Sequence, residues 1–423
     1  MQPVGRLDPQ PWMTAPETGA VVAALTAEGA EVRFVGGCVR DAVLGRPVKD
    51  IDIATHDPPE RVIALLQRAG ITVVPTGIKH GTVTAVVGDK HFEITTLRRD
   101  VETYGRHATV EFTDDWIADA ARRDLTINAL FCAPDGRLFD PCGGLADLRA
   151  GRVRFVGNAE TRIREDVLRL LRFFRFYAWY GKPPPDEEAL AAARALAPLL
   201  PTLSGERVCG ETLRLLAAPD PAPVVALMRD LGVLAHFLPE GTNLARLAAM
   251  VTVEGIAPRR LVPAADPIRR LAALIDGGAE AARAVAERLR LSNAQRDRIV
   301  SLASGPWPAV ELDGPARRRL LYRLGADRFR DAVLYAWANE LSGEPTMDRR
   351  RTEAWLDLLA AAETRLPDFP IKGRDALELG LRPGPEIGRL MQEVEAWWID
   401  GDFRADRDAC LAHLAELAGS VAR

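Results

Sequence analysis

The chain is 423 residues long, 48% hydrophobic and 27% charged, with a formal net charge of −4. That length exceeds one ordinary core and predicts roughly two to four domains. No run of about 18 uninterrupted apolar residues occurs, which argues against a membrane span, and Met1–Pro16 lacks the basic-then-apolar pattern of a signal peptide.

The first third alternates strand and helix signals. Glu31–Val35 is β-rich and ends at Gly36-Gly37; Val39–Leu44 reads as a short helix stopped by Gly45 and Pro47. Asp50–Ala54 alternates charged and β-branched residues, as a half-buried strand does. Pro58-Pro59-Glu60 opens a helix through Ala69, with Gly70 just past its end. Ile71–Pro75, Thr82–Val87 and His91–Thr96 read as strands, the last two joined by a turn at Gly88-Asp89-Lys90. The polar stretch Leu97–Asp114 reads as a mobile loop. Thr126–Ala133 and Arg137–Asp140 flank the hairpin signal Asp135-Gly136. Beyond about residue 145, Ala/Leu/Arg segments at helical spacing take over, punctuated by Pro183-Pro184-Pro185 and Pro258–Pro267.

The sequence pI of about 6.0 argues mildly against a nucleic-acid partner, but the charge is unevenly spread. From Arg149 to Lys182 nine basic residues face three acids, Glu160, Glu165 and Asp166. The patch is either a nucleic-acid surface or a solvated helix face. Five scattered cysteines (Cys38, Cys132, Cys142, Cys209, Cys410), with no Cys-X-X-Cys pair, fit a reduced cytoplasmic interior and disfavour zinc.

The candidate chemistry starts at Val35-Gly36-Gly37-Cys38-Val39-Arg40-Asp41 and Asp50-Ile51-Asp52. Two residues apart on a strand, Asp50 and Asp52 project from one face. Two such carboxylates repel unless a cation sits between them. Mg²⁺ takes a few carboxylate oxygens plus phosphates and water, the arrangement of two-metal nucleotidyl transfer. Gly36 and Gly37 let the backbone approach a phosphate, and Arg40, one turn into the following helix, is within reach of the same group. Glu93 supplies a third carboxylate if its strand lies beside Asp50–Ala54, and is otherwise an exposed strand glutamate. Lys79 or His80, between two glycines, either contacts phosphate or sits in a simple turn.

Arg122-Arg123-Asp124-Leu125-Thr126-Ile127-Asn128 places two cations and an acid before an apolar run. Arg123 suits a triphosphate, and Asp124 and Asn128 suit a loop or ribose; a structural ion-pair network is the alternative. The segment Arg164–Phe176 reads as one amphipathic helix with the apolar stripe Ile163, Val167, Leu170, Leu171 and Phe174. Asp166 and Arg169, three apart, are neighbours on it, with Arg172 and Arg175 following. One acceptor beside one donor matches the edge of a base that carries an exocyclic amino group, as C and A do. The alternative is an ordinary intrahelical ion pair.

Together these stretches resemble the class II tRNA nucleotidyltransferases and bacterial poly(A) polymerases of the polymerase-β superfamily, from about residue 30 to 180. The Gly-Gly-X-Val-Arg-Asp with Asp50 and Asp52, the Arg-Arg-Asp-Leu-Thr-Ile-Asn-Ala-Leu and the Glu-Asp-Val-Leu-Arg-Leu-Leu-Arg segment carry the likeness, with Thr95–Arg98 and Tyr104–His107. The resemblance implies an α+β head with a five-stranded mixed sheet (1–145), then all-α neck (146–215), body (216–345) and tail (346–423). It implies Mg²⁺ on Asp50 and Asp52. Gly37, Arg40 and Arg123 would bind the nucleotide, Asp166 and Arg169 would read the base, and Arg172 and Arg175 would support them. The expected activity is template-independent addition of CCA to tRNA from CTP and ATP; the alternatives are a poly(A) polymerase or A-only enzyme, or a catalytically silent RNA-binding protein. No short basic signature of the poly(A) polymerases is present, which favours CCA addition, and neither a membrane nor a protein partner is implied. In the tail, Ile371–Asp375 with Leu381–Gly388 resembles a segment of many relatives. It is either an RNA-phosphate contact ahead of a helix or a helix–helix turn.

Overall fold

The computed structural model describes residues 1–104, 107–305, 307–344, 346 and 348–421; Gly105 and Arg106 of the family segment lie outside them. The chain divides into two compact units, Met1–Gly241 with Glu287–Leu291, and Thr242–Ala286 with Ser292–Arg423.

The first unit opens with β1 (Gly5–Arg6), α1 (Pro11–Thr14) and α2 (Pro16–Thr26). Then come β2 (Val32–Val35), α3 (Gly37–Val43), β3 (Ile51–Thr55), α4 (Pro59–Arg68), β4 (Thr72–Gly77), β5 (Thr82–Val87) and β6 (Lys90–Thr96). β7 (Arg98–Tyr104), β8 (His107–Phe112), α5 (Trp116–Ala121), β9 (Phe131–Cys132), β10 (Arg137–Phe139) and α6 (Gly144–Ala150) follow. The helices α7 (Ala159–Glu165), α8 (Leu168–Tyr180), α9 (Glu187–Leu196), α10 (Gly205–Leu216) and α11 (Ala222–Asp230) complete this part.

Among the described residues the main sheet has the order β1-β10-β9-β2-β3-β6-β5-β4. Its core is the expected mixed five, β2, β3, β6, β5 and β4, with β3 and β6 parallel and the other pairs antiparallel. The sheet holds eight strands rather than five because β9, β10 and β1, of two or three residues each, extend its β2 edge. β9 and β10 are the hairpin that the Asp135-Gly136 signal announces, whereas the two residues of β1 leave no periodicity to read. The predicted strand Thr126–Ala133 begins as a 3₁₀ turn at Thr126–Asn128 and pairs only over Phe131–Cys132. Below the sheet, Val35, Ala54, Leu97, Trp116, Phe131 and Phe139 share one buried cluster. Helix α4 buries Val62, Leu65 and Leu66, and ends where Gly70 takes a left-handed φ of 72°.

The expected loop at 97–114 is instead an antiparallel ribbon, β7 on β8, registered from Arg98 opposite Phe112 to Tyr104 opposite His107. Its charged residues masked the strand-favouring Val101, Thr103, Thr109 and Val110.

Beyond residue 241 the chain is helical. Its elements are α12 (Leu244–Ile256), α13 (Pro267–Leu274), α14 (Gly278–Arg288), α15 (Asn293–Ser304), α16 (Gly314–Gly343), α17 (Arg349–Ala360), α18 (Gly373–Glu378), α19 (Pro385–Asp400) and α20 (Arg407–Val421). Helix α16 is kinked at Gly325, whose φ is 73°. The second unit buries an ionic network in which Glu254 pairs with Arg269 and Arg270, and Asp331 with Arg269 and Arg298.

Candidate active site

The site is built where β2 runs into α3. The chain leaves Val35 and turns at Gly36, whose φ of 72° suits glycine. A Cβ there would lie 3.6 Å from the Asn128 carbonyl oxygen and 3.7 Å from Arg123 Nη1, so the turn, the 126–128 segment and Arg123 are close neighbours. Helix α3 then starts at Gly37, two residues earlier than the sequence suggests.

The next strand carries the acids. β3 begins at Ile51, so Asp50 stands just before it and Asp52 is its second residue. Both line one cavity of about 610 Å³, together with Gly37, Arg40 and Tyr180. Neither forms an ion pair among the described residues. The parallel register sets Asp52 directly beside Glu93 of β6, an exposed residue, so the condition for a third nearby carboxylate is met. Burial, then the charge of Glu93, push the Asp52 carboxyl up to about 6; Arg123 and Arg40 oppose the rise, and Asp50 adds to it.

This charge pattern fits a divalent cation. Two carboxylates share a cavity without a cationic side chain bonded to either, and the inner one resists ionising. Among the described residues no three His, Cys, Asp or Glu side chains form a metal cage. A cation that draws its remaining ligands from phosphate and water needs only the pair.

Above the acids, a chain of charge-assisted hydrogen bonds links α3 to the helical part. Arg40 donates from Nη1 to Asn128 Oδ1 at 2.6 Å and pairs with Asp41 at 3.0 Å. The Asn128 amide donates to Asp124 Oδ1 at 3.1 Å, and Arg172 of α8 donates from Nε to Asp124 Oδ2 at 2.7 Å. Burial pushes the Asp124 carboxyl up, but Arg172 and the amide donors of Asn128 and Leu125 outweigh it and hold the group at about 2. Glu211 of α10, buried, pairs with Arg175 at 3.1 Å and Arg214 at 3.2 Å. Glu211 also lies 3.9 Å from Arg172, so Asp124, Asn128 and Glu211 are members of one structural network that holds three of the predicted nucleotide-binding arginines, Arg40, Arg172 and Arg175. Arg123 pairs separately with buried Asp119 at 2.8 Å.

The expected single helix Arg164–Phe176 is two helices. α7 ends at Glu165, Asp166 adopts extended geometry (φ −150°, ψ 106°), and α8 starts at Leu168. Asp166 closes α7 in extended geometry, and its side chain accepts from the Leu168 N–H at 3.2 Å, a local bond that competes with continuing the helix. The spacing argument for an Asp166–Arg169 side-chain pair therefore does not apply. Asp166 binds Arg207 of α10 at 2.7 Å. Arg169 donates to Glu165, and to the carbonyls of Arg162 at 3.2 Å and Arg122 at 3.3 Å. The structure thus gathers Gly36, Gly37, Arg40, Asp50, Asp52, Glu93 and Arg123 around β2, β3 and β6. Arg172 and Arg175 join them through the network, while Asp166 and Arg169 have other partners. His80 ends a 3₁₀ turn after β4, and the side chain of Lys79 lies outside the described residues.

The family model of the Poly A polymerase head domain matches residues 32–154, and that of the probable RNA and SrmB-binding site of polymerase A matches residues 185–244. The chain is 35% identical over 395 residues to CCA tRNA nucleotidyltransferase 1, mitochondrial, of Mus musculus, covering 92% of this chain and 87% of the relative.

The chain belongs to the CCA-adding enzyme and poly(A) polymerase family.

The CCA-adding enzyme of Geobacillus stearothermophilus is 30% identical over 414 residues, 95% of this chain and 96% of that one. The crystal structure of the Bacillus stearothermophilus CCA-adding enzyme in complex with CTP has a TM-score of 0.74 to this fold at 27% identity, with 96% and 99% of the two chains covered. Within this family member, the matched head segment begins at the first residue of β2 and holds both aspartates, Glu93 and Arg123.

Sequence reasoning missed Arg207 and Glu211. A faint signal was present: they are four apart on a helix whose opposite face is apolar; that Glu211 is buried only the structure reveals. Arg46, Trp179 and Tyr180 were missed too. Tyr180 donates to Asp41 at 2.8 Å and lies under the guanidinium groups of Arg40 and Arg46, 4.3 and 4.6 Å from its ring centre.

Proposed function

We infer that the chain is a template-independent tRNA nucleotidyltransferase that adds CCA to the 3′ end of tRNA from CTP and ATP, releasing pyrophosphate. One observation carries this reading: the unpaired Asp50 and Asp52 share a cavity beside the Gly36 turn, in a chain similar to CCA-adding relatives over more than nine-tenths of its length. The RNA 3′-hydroxyl oxygen attacks the α-phosphorus of the nucleotide, the bond to pyrophosphate breaks, and the hydroxyl proton leaves to solvent. A divalent cation held by Asp50 and Asp52, Mg²⁺ in our reading, supplies positive charge where the transferring phosphoryl group gathers negative charge. Glu93 sustains the negative potential that draws the cation in. Gly36 and Gly37 admit the phosphates to the backbone, and Arg40 and Arg123 bind them. Asp166 accepts from the exocyclic amino group of C or A and Arg169 donates to the ring. The base thus meets an acceptor already held by Arg207 and a donor already held by Glu165. Arg172 and Arg175 keep α8 in place beneath that pair.

The head (1–145), neck (146–215), body (216–345) and tail (346–423) remain our functional division of the chain. In the tail, Gly384 precedes α19, and we assign this turn an RNA-phosphate contact. No described helix is long and apolar enough to cross a membrane. All five cysteines are free thiols, which supports a reducing, cytoplasmic setting, although similar relatives include mitochondrial enzymes.

Extension of a tRNA lacking its CCA end, one nucleotide at a time, tests the function. Sequential C, C and A with pyrophosphate release is expected. A-addition alone, or no addition, would overturn it.

A further inference from the structure

The cavity that holds Asp50 and Asp52 has a second wall with no role in the scheme above. It is formed by Arg46, Pro47, Val48 and Lys49, from the loop between α3 and β3, with Trp179 and Pro219. Arg46 and Lys49 are exposed, and neither forms an ion pair among the described residues. Beside the Arg40–Asp41 pair, two carboxylates, Asp50 and Asp52, and two cations, Arg46 and Lys49, thus line one cavity without an ion pair among those four. Arg46 is instead fixed by other means: its guanidinium lies over Tyr180, and Nη2 donates to the Trp179 carbonyl at 3.1 Å. Trp179 spends its indole N–H on the Arg214 carbonyl at 2.9 Å, so the ring itself is what remains for contact. Two held-apart cations beside an aromatic ring are the usual means of gripping a single strand, by phosphate and by stacked base.

The geometry of the reaction says which strand. Attacking and leaving oxygens lie on opposite sides of the phosphorus, so acceptor and triphosphate need separate sets of cations. Arg169, at the start of α8, and Tyr180, at its end, are separated by roughly 16 Å of helix axis. The proposed base-reading end is therefore distant from the Trp179–Arg46 wall, and the aspartates open onto that wall.

We propose that Arg46, Lys49 and Trp179 form the subsite for the RNA 3′ end, holding its last phosphodiesters and stacking its terminal base beside the two aspartates. This rests on the nucleotidyltransferase reading. The test is steady-state kinetics of CTP addition to tRNA lacking CCA, for wild type, R46A, K49A, R46A/K49A and K49R, each at several salt concentrations. The double variant should raise KM for tRNA about tenfold or more and leave KM for CTP within about twofold. Its logarithmic salt slope should fall by about 1.4, for two single-strand phosphates. K49R should retain most of the wild-type KM. A rise in KM for CTP with tRNA unaffected would move these cations to the triphosphate and overturn the proposal, as would no change in either. Absence of wild-type addition would instead defeat the function itself, so the two failures are distinguishable.

Discussion

The Nη2 of Arg207 donates to both carboxylate oxygens of Asp166, at 3.0 and 2.7 Å, across 41 residues of chain. The acid proposed to read the incoming base is therefore aimed by a helix that the reading segment does not contain. Arg207→Ala frees that carboxylate. The pair is partly exposed, so its loss costs stability only about 1 kcal/mol. Nucleotide choice should suffer more: KM for CTP and ATP rises about tenfold and UTP begins to be incorporated. Single-nucleotide extension with each of the four nucleotides measures this; unchanged selectivity would leave Arg207 a purely structural role.

Asp124 is the hinge of the network between α3 and α8. Asp124→Ala leaves Arg172 facing a buried gap and removes the acceptor for the Asn128 amide. Breaking a buried pair from one side costs about 3–5 kcal/mol, which lowers the midpoint of thermal unfolding by roughly 6–20 °C for a unit of this size. The pH dependence has a definite sign. The carboxyl is held at about 2 against its ordinary 3.8, so its stabilisation is complete above pH 4 and disappears as pH falls through 2. Thermal melts of wild type and Asp124→Asn between pH 2 and 6 should converge at the acid end. Parallel curves throughout would refute the assignment.

Asp52 behaves in the opposite sense. Its folded carboxyl titrates near 6 rather than 3.8, so ionising it in the fold costs free energy. The cost grows between about pH 4 and 6 and is constant above. Asp52→Asn is expected to abolish nucleotide addition and yet, in chelator at pH 8, to melt higher than wild type by the equivalent of about 1–3 kcal/mol. The advantage should vanish at pH 4. Wild-type turnover in this variant would exclude the metal role.

Metal dependence follows from the same pair. Excess EDTA should stop addition, and Mg²⁺ should restore it. Glu93→Gln removes the charge beside Asp52, so that carboxyl becomes easier to ionise; metal affinity should drop, with the Mg²⁺ concentration for half-maximal rate rising about three- to tenfold. Mg²⁺ titrations of initial rate provide the check, and an unmoved midpoint would make Glu93 a bystander.

Local pattern alone singled out the acids and the turn: Asp50 and Asp52 stood out because side chains alternate along an extended strand, although Asp50 precedes β3 and the two meet only in lining one cavity, and Gly36 was legible because a backbone with positive φ favours glycine. The change from alternating to helical texture near residue 145 located the end of the sheet. What spacing could not supply were partners far away in the chain. The Arg40–Asn128 bond spans 88 residues, Asp124–Arg172 spans 48 and Asp166–Arg207 spans 41. Periodicity constrains neighbours within one or two turns, so it paired Asp166 with Arg169 and drew one helix where the extended backbone at Asp166 separates two. Only the packing of α8 against α10 and the head decided which charges meet, because an ion that loses its water takes whichever counter-ion the fold brings within hydrogen-bonding distance.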